Sequence, residues 1–169
     1  MTQFFGKYRG KVENNRDPLF LGRIQVSVPA IYGDSTDSWA MPCVPFAGPG
    51  VGLFALPPVG ASVWVEFEGG DSDYPIWAGC FWGPGEMLTI SPTRHAVPVP
   101  PNANIKAFKT GDTSLTINDL PGTGGLLIKT SSGIEIAMTA QGVEVTNGQS
   151  KISLTGPQVS INDGALEVV

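Results

Sequence analysis

The chain has 169 residues, of which 41% are hydrophobic and 15% charged, with 22 Gly, 15 Pro and a formal net charge of −5. That composition suits a folded protein of one ordinary domain or two small ones, and its sign excludes affinity built on neutralising phosphates. No stretch carries apolar residues at helical spacing for three turns, and none reaches membrane-spanning length, which predicts an all-β chain of short strands.

The N-terminal run Met1-Thr-Gln-Phe-Phe-Gly-Lys has no apolar stretch of signal-peptide length, so synthesis in the cytoplasm is expected. Five strands are predicted in the first half: Tyr8–Glu13, Leu21–Val28, Trp39–Val44, Ala61–Glu68 and Ile76–Trp82. Ile24, Val26 and Val28 share one face of the second, and Val63, Val65 and Phe67 share one face of the fourth. Turn residues separate the strands at Asp17-Pro18, Gly33-Asp34, Gly48-Pro49-Gly50, Pro57-Pro58 and Gly69-Gly70-Asp71. Five strands in this length fit a small barrel such as an OB-fold, and spacing leaves an SH3-like barrel open. Cys43 and Cys80 lack metal-ligand spacing and read as buried thiols.

Aromatic residues draw the domain boundary. All four Trp, all three Tyr and seven of eight Phe lie between Phe4 and Trp82, and only Phe108 lies beyond. Large aromatics fill a compact core, whereas a thin shaft has room only for aliphatics. Residues 1–83 therefore read as a barrel. Residues 84–104, with Pro84, Pro92, Pro98, Pro100 and Pro101, read as an extended connector, and 105–169 as a repetitive element.

That last element is a ladder of apolar pairs: Leu115/Ile117, Leu126/Ile128, Ile134/Ile136, Val143/Val145, Ile152/Leu154, Val159/Ile161 and Leu166/Val168. One residue separates the members of each pair, so each strand has one apolar and one wet face. A single copy is a ribbon with an open apolar face and bare edges; copies wound about an axis bury that face. Ile134, Ile136, Val143, Val145, Ile152, Leu154, Val159 and Ile161 are the predicted axis residues of an oligomer wound from several copies, with strands paired between neighbouring chains. Leu166 and Val168, at the far end and without a charged or metal-binding cap, are the predicted seat of a separate small tip protein.

The run Tyr8-x-Gly10-x-Val12-x-Asn14-x-x-Asp17-Pro18, followed by Leu21-Gly22-Arg23-Ile24-Gln25-Val26-x-Val28-Pro29, resembles the start of the OB-fold domain of contractile-tail spikes. Those spikes include the phage baseplate assembly protein V and the valine-glycine-repeat spikes of type VI secretion. The likeness continues through Trp39-Ala40-x-Pro42, Gly50-x-Gly52, Pro57-Pro58-x-Gly60-x-x-Val63-Trp64-Val65-x-Phe67, Gly69-Gly70-Asp71 and Pro75-x-x-x-Gly79. The resemblance implies an OB-fold barrel followed by an intertwined, triple-stranded β-helix in a homotrimer, standing alone and docked on a separate baseplate hub protein. Some short phage spikes end in an iron-binding His-x-His pair; the only histidine here is His95, in the connector, so no metal tip is implied.

Other candidates have plainer readings. His95, without a local nucleophile or acid partner, reads as a solvated loop residue. Asp71 with Asp73, and Asp34 with Asp37, could hold Ca²⁺ or flank a sugar bond, but read as turn formers. Gly48-Pro49-Gly50-Val51-Gly52 lacks the Lys-Ser/Thr ending of a phosphate loop. Lys7, Arg9 and Lys11 alternate on one strand face, either solvated or touching a partner. Residues 1–83 hold five basic against eight acidic residues, net −3, which argues against single-stranded nucleic acid on the barrel.

The function expected is mechanical: a needle that closes the tube of a contractile injection device and pierces a membrane in transient contact, without catalysis or cofactor. Such a chain is assembled into a virion or phage-tail-like particle. Two alternatives come from other classes: a trimeric OB-fold ligand-binding module on a β-stalk, and an enzyme with a cleft around His95.

Overall fold

Alternation of β-branched residues organises the first unit. A computed structural model describes residues 2–35 and 38–168, without the side chains of Glu167 and Val168. The chain divides after Glu86 into two units. In the first, β1 (Tyr8–Asn14), β2 (Ile24–Ser27), β3 (Trp39–Pro42), β6 (Ser62–Phe67) and β7 (Pro75–Phe81) close a barrel in the order β1-β2-β3-β7-β6. The β3–β7 pair is parallel and the other four are antiparallel. One helical turn, α1 (Pro29–Tyr32), follows β2, and a small hairpin, β4 (Ala47–Gly48) with β5 (Val51–Gly52), interrupts the stretch between β3 and β6.

Val12, Ile24, Val26, Val28, Ala40, Val63 and Val65 are wholly buried and Phe67 and Trp77 nearly so, forming the barrel core. Each large aliphatic buried this way contributes roughly 1.5–3 kcal/mol. Both apolar faces expected from the alternation point inward. Gly10 sits where a Cβ would stand 2.8 Å from the Ser27 carbonyl oxygen, so β1 approaches its neighbours as only glycine allows.

The loop from β1 to β2 is held by one carboxylate. Asp17 accepts hydrogen bonds from the backbone N–H groups of Leu19 (3.0 Å), Leu21 (2.8 Å) and Arg23 (3.2 Å), and from Arg23 Nη2 (2.7 Å). Its side chain is 4% exposed. Arg23 lies over the Trp39 ring at 5.2 Å. This cage holds Phe20 at φ 56°, a left-handed conformation that costs a non-glycine residue about 1–3 kcal/mol. The Arg23 guanidinium, more than the backbone donors, keeps the Asp17 carboxyl far below the ordinary carboxylate range.

The second unit is one antiparallel meander of eight strands. They are β8 (Ile105–Lys109), β9 (Thr113–Asn118), β10 (Gly125–Thr130), β11 (Glu135–Thr139), β12 (Gly142–Thr146), β13 (Lys151–Thr155), β14 (Gln158–Ile161) and β15 (Leu166–Val168). Each strand pairs with its neighbours in sequence, so the backbone ladders expected between chains are made within the chain.

Residues 87–104 belong to this unit rather than forming a free connector. They strap one face of the sheet. Ile90 is nearly buried and bridges Val99 by two backbone hydrogen bonds. Asn118 Nδ2 donates to the Pro92 carbonyl at 3.1 Å, and Lys109 Nζ to that of Thr89 at 2.8 Å. Arg94 Nε reaches Glu135 Oε2 at 2.9 Å, and its Nη1 reaches Glu144 Oε1 at 2.5 Å. Lys129 adds a bond to the other Glu135 oxygen at 2.7 Å. Burial pushes the Glu135 carboxyl up, but the hydrogen bonds from Lys129 and Arg94 outweigh it and leave the group below its ordinary value.

Two outcomes follow. Because its folded carboxyl titrates below the unfolded value of about 3.9, Asp17 stabilises the barrel fully above about pH 4, and that contribution fades as pH falls toward the folded value. A denaturation series from pH 7 to 2 on the wild type and Asp17→Asn should show the two converging at low pH. Arg94→Ala should expose residues 87–104 to limited proteolysis at pH 7 while circular dichroism stays that of the intact sheet; unchanged resistance would show that Arg94 does not hold the strap.

Candidate assembly surfaces

Register places the ladder residues in two unbroken rows on the face of the sheet opposite the strap. Phe108, Leu115, Ile128, Ile136, Val145, Ile152, Ile161 and Leu166 stand side by side across all eight strands. Ile117, Leu126, Met138, Val143, Leu154 and Val159 form the second row, with Lys106 at its β8 end. Much of this face is open: Ile152 is 45% exposed and Ile136 37%, with Met138, Val145, Leu154 and Leu166 also exposed.

Met138 occupies the place in the second row that the sequence pairing assigns to Ile134. Ile134 stands just before β11, exposed and outside the paired register. The slip is two residues, which preserves strand parity: the face is the expected one and only the row differs. Leu166 is exposed on β15, which has β14 as its one neighbour among the described residues. Val168 pairs with Val159 through the backbone.

The opposite face is polar and occupied. Thr116, Asn118, Leu127, Glu135 and Ala137 are buried there, and Glu135, Glu144 and Asn118 bind the strap. The signal that sequence reasoning missed is the pair of acidic residues on alternate-face positions of β11 and β12, with a lone arginine inside the proline-rich stretch.

On the barrel, a different apolar surface is exposed. Phe20 is 94% exposed, and Leu19, Leu21, Phe46, Val51, Leu53 and Phe54 are exposed with it. Gly48 and Val51 pair at the end of the β4–β5 hairpin, with Pro49-Gly50 as its turn and Gly50 at φ 73°, so the glycine-rich run builds a hairpin rather than a phosphate loop.

The remaining candidates take plain places. Arg9 lies over Trp64 (5.4 Å) and Phe81 (5.1 Å), and Lys7 pairs with Glu66 at 2.5 Å, so two of the three alternating basics are engaged within the barrel wall. Asp71 accepts the Asp73 N–H in a turn at 3.0 Å. Asp34 is exposed, and Asp37 lies outside the described residues. His95 is exposed in the strap beside Arg94. Cys43 and Cys80 are free and exposed, which corrects the buried reading: Cys80 falls beyond the irregularity between Trp77 and Cys80 that breaks inward alternation on β7. Among the described residues no three His, Cys, Asp or Glu side chains converge to hold a metal, and no helix is long and apolar enough to cross a membrane.

Two family models match the chain. Residues 8–82 match the type VI secretion system/phage-baseplate injector OB domain, and residues 104–167 match the phage baseplate V C-terminal trimerisation domain. No curated protein matches the chain. The first span coincides with the closed five-strand barrel and the second with the eight-strand sheet carrying the open apolar face. The barrel, the trimerising sheet and their order together place this chain in the phage baseplate V family, whose members are structural components of injector baseplates.

Proposed function

We propose that three copies pack their ladder faces about a common axis to form the central needle of a contractile injection device. The observation that carries this reading is the unbroken pair of apolar rows on a face left open while the strap occupies the other. The inner residues are Ile136, Val143, Val145, Ile152, Leu154, Val159 and Ile161, joined by Met138, with Ile134 at the margin. In its finer form the needle is a triple-stranded β-helix, with the sheets wound about one another.

The three OB barrels form a collar that docks on a separate hub protein. The needle closes the tube, stays rigid while the sheath contracts, and pierces the target membrane without catalysing a reaction or binding nucleic acid. Leu166 and Val168, on the outermost strand, seat a separate small tip protein. A trimeric ligand-binding module is the second reading, favoured by the exposed Phe20 and Phe54. It requires the purified trimer to have no affinity for a hub.

Light scattering on the purified chain at micromolar concentration should give three times 17.8 kDa. Ile152→Asp places three carboxylates together in a dry core, at a cost of several kcal/mol each, and should abolish the trimer. Thr155→Glu, three positions further along β13 and on the strapped face, should assemble normally. A stable wild-type monomer, or equal tolerance of both substitutions, contradicts the reading.

A further inference from the structure

The exposed apolar surface of the barrel is separate from the ladder face and is not explained by it. Phe20 and Phe54 line two hollows, one of about 460 Å³ walled by Pro42, Val44 and Trp77, the other of about 490 Å³ walled by Pro18 and Leu56. The two rings therefore form a ridge with a hollow on either side. The ridge is built rather than accidental: the Asp17 carboxylate and Arg23 force Phe20 into a left-handed backbone conformation that carries its ring outward.

The surface also lacks charge. From residue 38 to residue 65 the chain has no Asp, Glu, Lys or Arg across 28 positions. Arg16 and Asp17 line the second hollow, Asp17 paired with Arg23, so the depletion of charge belongs to the first hollow, which no charged residue lines. Depletion of charge with exposed Phe marks the core of a permanent contact rather than a steered, transient one.

We infer that this ridge packs into the hollow of the next copy's barrel, so that the three barrels close a head-to-tail ring. The inference rests on the trimer proposed above. Three observations select a second copy as the occupant. The surface carries both a ridge and hollows of matching apolar chemistry, which is what a head-to-tail contact needs from one protomer, and a three-fold rotation closes such a contact without loose ends. The trimerisation domain tethers the barrels: β7 ends at Phe81 and the second unit begins at Met87. The five intervening residues reach at most about 18 Å. A tether that short holds the surfaces at millimolar effective concentration. Finally, Phe20 and Phe54, 94% and 78% exposed, keep most of the roughly 150–250 Å² that each ring can bury, a substantial part of the roughly 800 Å² per partner of an ordinary interface.

The test uses the full chain with a photo-crosslinking benzoylphenylalanine at position 20, co-expressed with a copy carrying a mass tag and purified without any other particle protein. Phe20 is almost wholly exposed, so the substitution leaves the fold intact. Irradiation should join two copies, with the adduct mapped by mass spectrometry to residues 42–56 or Trp77 of the tagged copy. Ala47→Lys in the tagged copy, a charge placed at the mouth of the first hollow, should abolish the adduct while light scattering still reports a trimer. A trimer with no intermolecular adduct, or with adducts outside those residues, overturns the ring. So does an adduct that appears only when a hub protein is added and lies on the hub, because the occupant is then the hub. A monomer in the scattering measurement removes the needle reading first and the ring with it.

Discussion

A single β-sheet has two faces; water can cover a polar one, but an apolar one needs a partner. In the second unit, Arg94 covers one of them: its guanidinium bridges Glu135 and Glu144 on adjacent strands and pins residues 87–104 across the polar side. Charge pairs of this kind add little when exposed, but these are partly buried, and the third partner, Lys129, completes the network. With that side occupied by the chain itself, the ladder face is the one that the trimer proposed above buries.

Magnitudes support the same division. Half-exposed Ile, Leu and Val side chains each have about 1 kcal/mol still to gain on burial. Six of them in the two rows, with Met138 and Phe108, counted over three chains, give a gain of the same order as the roughly 4–15 kcal/mol that each association step costs in lost freedom. Backbone pairing adds nothing further, because the ladders are already complete along the meander and only β8 and β15 have a free edge among the described residues. In the trimer proposed above, faces rather than edges supply the energy of association.

Period-2 alternation carries information about faces, and it assigns the observed face to Ile24, Val26, Val28, Val63, Val65 and Phe67 in the barrel and to the ladder residues from Leu115 to Ile161 other than Ile134. It carries none about register, since shifting a pair by two residues keeps the same face; this is why Ile134 was paired where Met138 stands. The strap was hidden for a related reason. Proline content predicts extended chain but not whether that chain is free, and what holds it is Arg94 finding carboxylates 41 and 50 residues away. The Asp17 cage was legible only as a turn, because its ligands are mostly backbone N–H groups that no side-chain motif records. Composition statistics place Cys80 wrongly because they take no account of a strand irregularity, and Cys43 because they take no account of alternation, which sets it opposite the buried Ala40.

The central claim concerns which face of the sheet lies inside the assembly, and an experimental structure of the purified oligomer at side-chain resolution tests it most directly. Ile136, Val145 and Ile152 from three chains should converge on the three-fold axis, with Arg94, Glu135 and Glu144 on the outer side beneath the strap. An oligomer with the Glu135–Glu144 face turned to the axis and the ladder residues in water would contradict the account.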